Sequence, residues 1–99
     1  MGGVGDLEWD DRKAASNLAK HGLSFEKAPY FEFETALIGQ DRRGERDPKF
    51  KYPEPRFIAM GLLAGRVAVM VYSPKGRKRR IISFRYAEKE ECELWLKGK

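Results

Sequence analysis

The sequence has a single cysteine, Cys92, a single histidine, His21, and no apolar run long enough to span a membrane. A lone cysteine excludes an internal disulfide and any cysteine-built metal knuckle or redox pair, and a free thiol suits a reducing compartment. With one histidine and neither HExxH nor CxxC spacing, no transition-metal motif can be assembled, so no metal and no cofactor is expected. Glycine-rich phosphate loops are missing as well, because Gly61 and Gly65 fall within a strand pair rather than ahead of a helix. The start shows no charged-then-apolar signal pattern, and in "MGGVGD" Asp6 stands where a myristoylation signal needs Ser or Thr. The protein therefore reads as cytoplasmic, without membrane contact.

What is present is a chain of 99 residues, 41% hydrophobic and 12% aromatic, enough for one small domain with one core. Lys and Arg number 20 against 15 Asp and Glu, and the net charge of +5 favours a polyanionic partner. The excess is clustered. Within "SPKGRKRRIISFRYA", residues 73–87, six basic side chains and no acid lie between Lys75 and Arg85. Ile81, Ile82 and Phe84 inside the same stretch argue for a strand rather than a solvated arm. Strict alternation sets Arg79, Ile81, Ser83 and Arg85 on one face and Arg80, Ile82, Phe84 and Tyr86 on the other.

Residues 1–6 read as a flexible leader and 7–99 as one domain. "LEW" is a short strand, and "DDRKAASNLAKHG" a helix with Asp10 as N-cap, Gly22 as stop and an apolar stripe of Ala14, Ala15, Leu18 and Ala19. A second short helix starts at Ser24 and is limited by Pro29. "ETALIGQ" is a strand, and the proline-rich stretch 41–55 a loop. Three further strands form a meander with turns at Ala64–Gly65 and around Gly76, and "AEKEECELWLKGK" is a terminal helix. The order β-α-α-β-β-β-β-α predicts an α+β domain, an antiparallel sheet with the N-terminal helices on one face.

Arginine, lysine, tyrosine and one histidine match metal-free cleavage of RNA. That reaction needs a base for the 2′-hydroxyl, positive groups for the charge on phosphorus, and an acid for the leaving 5′-oxygen. Arg80 and Arg85 are the leading phosphate clamps because a planar fork grips two phosphate oxygens at once. Lys75, Arg77, Lys78 and Arg79 at the turn mouth could track the backbone. Lys13, Asn17 and His21 recur every fourth residue as one polar stripe, with Lys20 beside it. His21 and Tyr72 are the candidates for proton transfer. Each has a plain structural alternative: His21 as a helix-end charge, Tyr72 as a sheet aromatic, and Arg85 paired with Glu88 or Glu90.

"LEWDDRKAASNLAKHGLSFEKA" and "RRIISFRYA" together resemble the end motifs of the BrnT-type toxins. The matching features are Trp9-Asp10, Lys13, Asn17, Lys20-His21-Gly22, Phe25 and Ala28, then the basic strand, with Arg56 and Gly61 between them. The resemblance implies a RelE-like fold and a ribonuclease toxin of a type II toxin–antitoxin pair. It also implies inhibition of translation, and neutralisation by a BrnA-like ribbon-helix-helix antitoxin through which alone DNA is contacted. It places Arg80 and Arg85 in the basic strand motif and His21 in the helix-end triplet; Arg56 is read beside them as a flanking RNA contact. Two readings of another class stand beside it: an RNA- or ribosome-binding module acting by occupancy, and a structural partner in an antitoxin–DNA complex.

Overall fold

Leu7 and Trp9 are buried while Glu8 between them turns away, which makes β2 (Leu7–Trp9) a strand with one face in the core. The computed structural model describes residues 2–98, in which β1 (Gly2–Val4) precedes β2 and pairs with it antiparallel. Part of the stretch read as a leader is thus an edge strand. The chain continues through α1 (Asp11–His21), 3-10 turns at Phe25–Tyr30 and Phe33–Thr35, β3 (Leu37–Gln40), further 3-10 turns at Arg43–Glu45 and Pro48–Phe50, then β4 (Phe57–Leu63), β5 (Arg66–Lys75), β6 (Lys78–Tyr86) and α2 (Lys89–Lys97).

The sheet has six strands in the order β1-β2-β6-β5-β4-β3. It is mixed rather than antiparallel throughout, because β2 runs parallel to β6, with Glu8 opposite Arg80. One face carries the core: Leu7, Trp9, Ala59, Leu63, Ala68, Met70, Ile81 and Phe84, closed by Leu23, Phe25, Ala28 and Phe31 from the segment after α1. That segment crosses β4 closely at Gly61, where a Cβ would lie 2.9 Å from the Phe31 ring and 3.1 Å from the Glu32 carbonyl oxygen.

Two local features reshape the expected pattern. Between β5 and β6 the register slips: Val71 faces Ser83 and Tyr72 faces Ile81, leaving Ile82 as the extra residue of a bulge. Ile81 and Phe84 therefore both enter the core, and Arg80, Ser83 and Arg85 share the opposite face. The strict alternation is broken there.

The second feature is α1, which lies beside β6 instead of on the sheet. β2 covers β6 only from Arg79 to Ile81, so Phe84 further along presents an unpaired edge. The Asn17 side chain fills that edge. Its Nδ2 donates to the Phe84 carbonyl at 2.6 Å and to the Leu23 carbonyl at 3.0 Å, and its Oδ1 accepts from the Phe84 N–H at 3.1 Å. Asn17 is the buried residue of α1, while Ala15, Leu18 and Ala19 of the expected apolar stripe are exposed. The helix ends fall as expected, at Asp10, which accepts from Arg12 N–H, and at Gly22 in the left-handed region.

α2 lies over one end of the second face. Glu91 takes both oxygens to the Arg85 guanidinium at 2.6 and 2.8 Å, and Gly98 abuts Leu37 of β3. No helix among the described residues is long and apolar enough to cross a membrane.

Candidate nucleic-acid interface

The half of the second face that α2 leaves uncovered carries the basic residues. Arg80 points onto it from β6 and is held by Glu8, whose Oε2 accepts from Nε at 3.1 Å and from Nη2 at 2.9 Å. The pairing is dictated by register, since parallel strands place these two residues side by side on one face. Opposite Arg80 on the other flank, Ser73 of β5 is buried and ties down the segment before β4: its Oγ donates to the Pro55 carbonyl at 2.7 Å. Glu54 beside it forms an ion pair with Lys75. Hydrogen bonding from Lys75 is the main influence that lowers the Glu54 pKa.

Two adjoining hollows result. The first, about 110 Å³, is walled by Lys13, Tyr52, Glu54, Arg56 and Arg80, with Ile82 and Ser73 also lining it. The second, about 200 Å³, lies between α1 and the bulge and is lined by Lys13, Asn17, Lys20, His21, Ile82 and Ser83. Lys13 and Ile82 line both, so the two hollows adjoin and together form the groove. Burial lowers the His21 pKa below its ordinary value, and the charges of Lys20 and Arg85 lower it further. The imidazole is neutral at pH 7 and able to accept a proton.

The structure therefore places Lys13, Lys20, His21, Arg56 and Arg80 along these two hollows from three separate parts of the chain: α1, the segment just before β4, and β6. Arg85 shares their face but is engaged at the start of α2, and its partner is Glu91, not Glu88 or Glu90. Lys75 stands at the rim with Glu54, while Arg77 and Lys78 are exposed at the β5–β6 hairpin. Tyr72 and Arg79 are on the other face. The Tyr72 ring stacks on Phe57 at 5.9 Å and meets Phe33 edge-on, and the Arg79 guanidinium sits 4.3 Å from the Phe33 ring. Tyr72 is thus a core aromatic, apart from the groove where proton transfer was expected of it. Glu8, Ser73 and Tyr52 were not anticipated as parts of the site. Only Glu8 carried a sequence signal, as the outward residue between two buried ones.

The Arg85–Glu91 pair also sets a stability prediction. Hydrogen bonds from Arg85 hold the Glu91 carboxyl below the usual carboxylate range, and Glu91 also accepts from the Glu88 N–H at 2.8 Å to cap α2. Glu91→Gln should lower stability by about 1–3 kcal/mol in neutral solution, measured by urea unfolding. A lowered carboxylate pKa stabilises above the ordinary Glu value and is lost as pH falls through the depressed one, so wild type and variant should converge in acid.

The comparisons with known proteins follow the same outline. Residues 9–91 match the family model of the ribonuclease toxin BrnT of type II toxin–antitoxin systems. This chain belongs to the BrnT toxin family. Among solved structures, the BrnT ribonuclease toxin of Brucella abortus is similar, with 25% sequence identity, a TM-score of 0.62, and coverage of 84% of this chain and 96% of that one. A search of curated proteins found no match. The α+β architecture with a C-terminal helix is accordingly similar to that of BrnT.

Proposed function

We propose that this BrnT family member is a metal-independent endoribonuclease that blocks translation in the cytoplasm by cutting RNA. The observation that carries the reading is the pair of adjoining hollows on the face the core does not use, one lined by Lys13, Lys20 and His21 and the other by Lys13, Arg56 and Arg80. RNA contributes its own nucleophile, so the protein needs only to orient the chain and stabilise charge. In this scheme the neutral His21 imidazole takes the proton of a 2′-hydroxyl as its oxygen attacks the adjacent phosphorus. Arg80 and Lys13 balance the charge gathering on the phosphoryl oxygens, and Arg56 holds a flanking phosphate. The P–O5′ bond breaks, the 5′-oxygen takes a proton from solvent, and a 2′,3′-cyclic phosphate remains. Arg85 acts at a distance through its charge, and Tyr72 has no part.

The same groove is the docking surface for a cognate antitoxin of the BrnA, ribbon-helix-helix kind, whose acidic groups would replace phosphate at Arg80 and Lys13. DNA would be reached only through that partner. We also assign the sheet and its helices to the RelE-like folds, on the strength of the two end motifs.

Expression in bacteria lacking antitoxin tests the reading: growth arrest with new RNA 5′ ends supports it, whereas arrest without new ends means inhibition by occupancy. The pH profile tests the base. A neutral His21 works only above its pKa, so kcat/KM, which reports the free enzyme, should fall in acid along a limb whose midpoint lies below the ordinary histidine value of 6.5, and His21→Ala should remove that limb. A midpoint above 6.5 would rule out His21 as placed here.

A further inference from the structure

The stretch 41–55, set aside as a loop by its prolines and mixed charge, folds into a second cleft that opens beside the groove. Its volume is about 470 Å³, within the roughly 300–1,000 Å³ of small-ligand sites. Two aromatic rings line it, Phe50 and Tyr52, and each carries a cation on its face. The Arg56 guanidinium carbon lies 3.5 Å from the Tyr52 ring centroid, and that of Arg43 lies 4.2 Å from the Phe50 centroid. The local fold is pinned from within: the Asp41 carboxylate accepts from Arg43 Nε at 2.9 Å and from Nη2 at 2.6 Å, and the Asp41 N–H donates to the Arg56 carbonyl at 2.8 Å.

Tyr52, Glu54 and Arg56 line both this cleft and the hollow around Arg80, so they form the wall between the two. Phosphate recognition has no use for an aromatic ring with a guanidinium over it, nor for a carboxylate. An unpaired base has use for both. Half-exposed aromatic and guanidinium surfaces are the platforms on which splayed-out RNA bases stack, and a carboxylate accepts from the amino or imino N–H of a base edge. The position is also right, because a chain whose phosphate sits at Arg80 delivers its neighbouring base to this wall.

We propose that the 41–55 segment is a base-reading subsite, in which the Tyr52–Arg56 pair stacks one unpaired nucleobase beside the cut and Glu54 selects it by its N–H donors. This rests on the groove being an RNA site, and deepens that reading from backbone binding to sequence choice.

Fluorescein-labelled single-stranded RNA pentamers, differing only in one central base, test it by anisotropy with wild type, Tyr52→Leu and Tyr52→Phe. We expect wild type to prefer guanine, the one base of the four whose Watson–Crick edge offers two adjacent N–H donors to a carboxylate. Tyr52→Leu should weaken that pentamer about tenfold or more and leave the poor ones little changed, and Tyr52→Phe should keep the preference. Glu54→Gln should change which base is preferred. Equal binding of all four pentamers by wild type overturns the subsite. So does uniform weakening in Tyr52→Leu, which is the signature of a displaced Arg56 phosphate contact. Because binding alone is read, base preference without RNA cleavage would keep the subsite and refute the ribonuclease reading instead.

Discussion

Arg80→Ala should lower kcat for RNA cleavage by about 100- to 1,000-fold, the usual effect of removing one donor aimed at developing oxyanion charge. Arg80 is fixed where such a donor must be. Glu8 grips it at two nitrogens from the neighbouring strand, the bulge at Ile82 turns it onto the groove face, and Lys13 and Arg56 flank it. The substitution also leaves the largely buried Glu8 carboxylate without its partner, so loss of activity must be separated from loss of fold. Arg80→Lys separates them. It keeps a positive charge for Glu8 but not the planar fork, so the protein should stay folded by circular dichroism with an intermediate rate. Full activity in Arg80→Ala would remove Arg80 from the site.

Asn17→Ala should destabilise the protein by about 3 kcal/mol, enough to lower Tm by about 15 °C in a domain of this size. The substitution removes both amide donations and the one acceptance, leaving the Phe84 N–H and C=O buried with nothing in their place. An unmet buried backbone group costs about 1–3 kcal/mol, and here two are created on one residue. Asn17→Asp should fare no better, since it keeps the acceptor for Phe84 N–H but sets a carboxylate against two carbonyl oxygens. Thermal unfolding followed by circular dichroism reads both, and a Tm within about 3 °C of wild type would mean that water or a helix shift closes the β6 edge instead.

Asn17 also marks where sequence reasoning reaches its limit. Apolar residues at helical spacing normally show which side of a helix is buried, and Ala14, Ala15, Leu18 and Ala19 fit that pattern. The rule assumes that the helix packs on side chains. α1 packs on a strand edge, where the surface to be covered is backbone N–H and C=O, so the residue that belongs inside is an amide. The basic strand was legible as a strand, because Ile81, Ile82 and Phe84 could not sit in a solvated arm. Its faces were not, because a bulge is a property of two strands paired in space and nothing in β6 alone announces it. Arg85 was rightly suspected of an ion pair, but its partner is Glu91 and neither Glu88 nor Glu90.

The candidate site was legible by residue type and not by arrangement. Lys13 and His21 were associated through helical spacing, and both line the groove. Tyr72 was read as an acid candidate, yet it falls on the opposite face by simple alternation from Ser73. The segment 41–55 gave no helix or strand period, only prolines and charges. Its order comes from Arg43 on Phe50, Arg56 on Tyr52 and the Ser73 tether, contacts between residues whose spacing follows no regular element.

The central claim is that this groove cleaves RNA without a metal. The most direct measurement incubates purified protein with RNA in excess EDTA and identifies the chemical ends of the fragments. The account predicts fragments with 5′-hydroxyl and 2′,3′-cyclic phosphate ends from wild type, and almost none from Arg80→Ala. Cleavage abolished by EDTA, or fragments bearing 5′-phosphates, would contradict it.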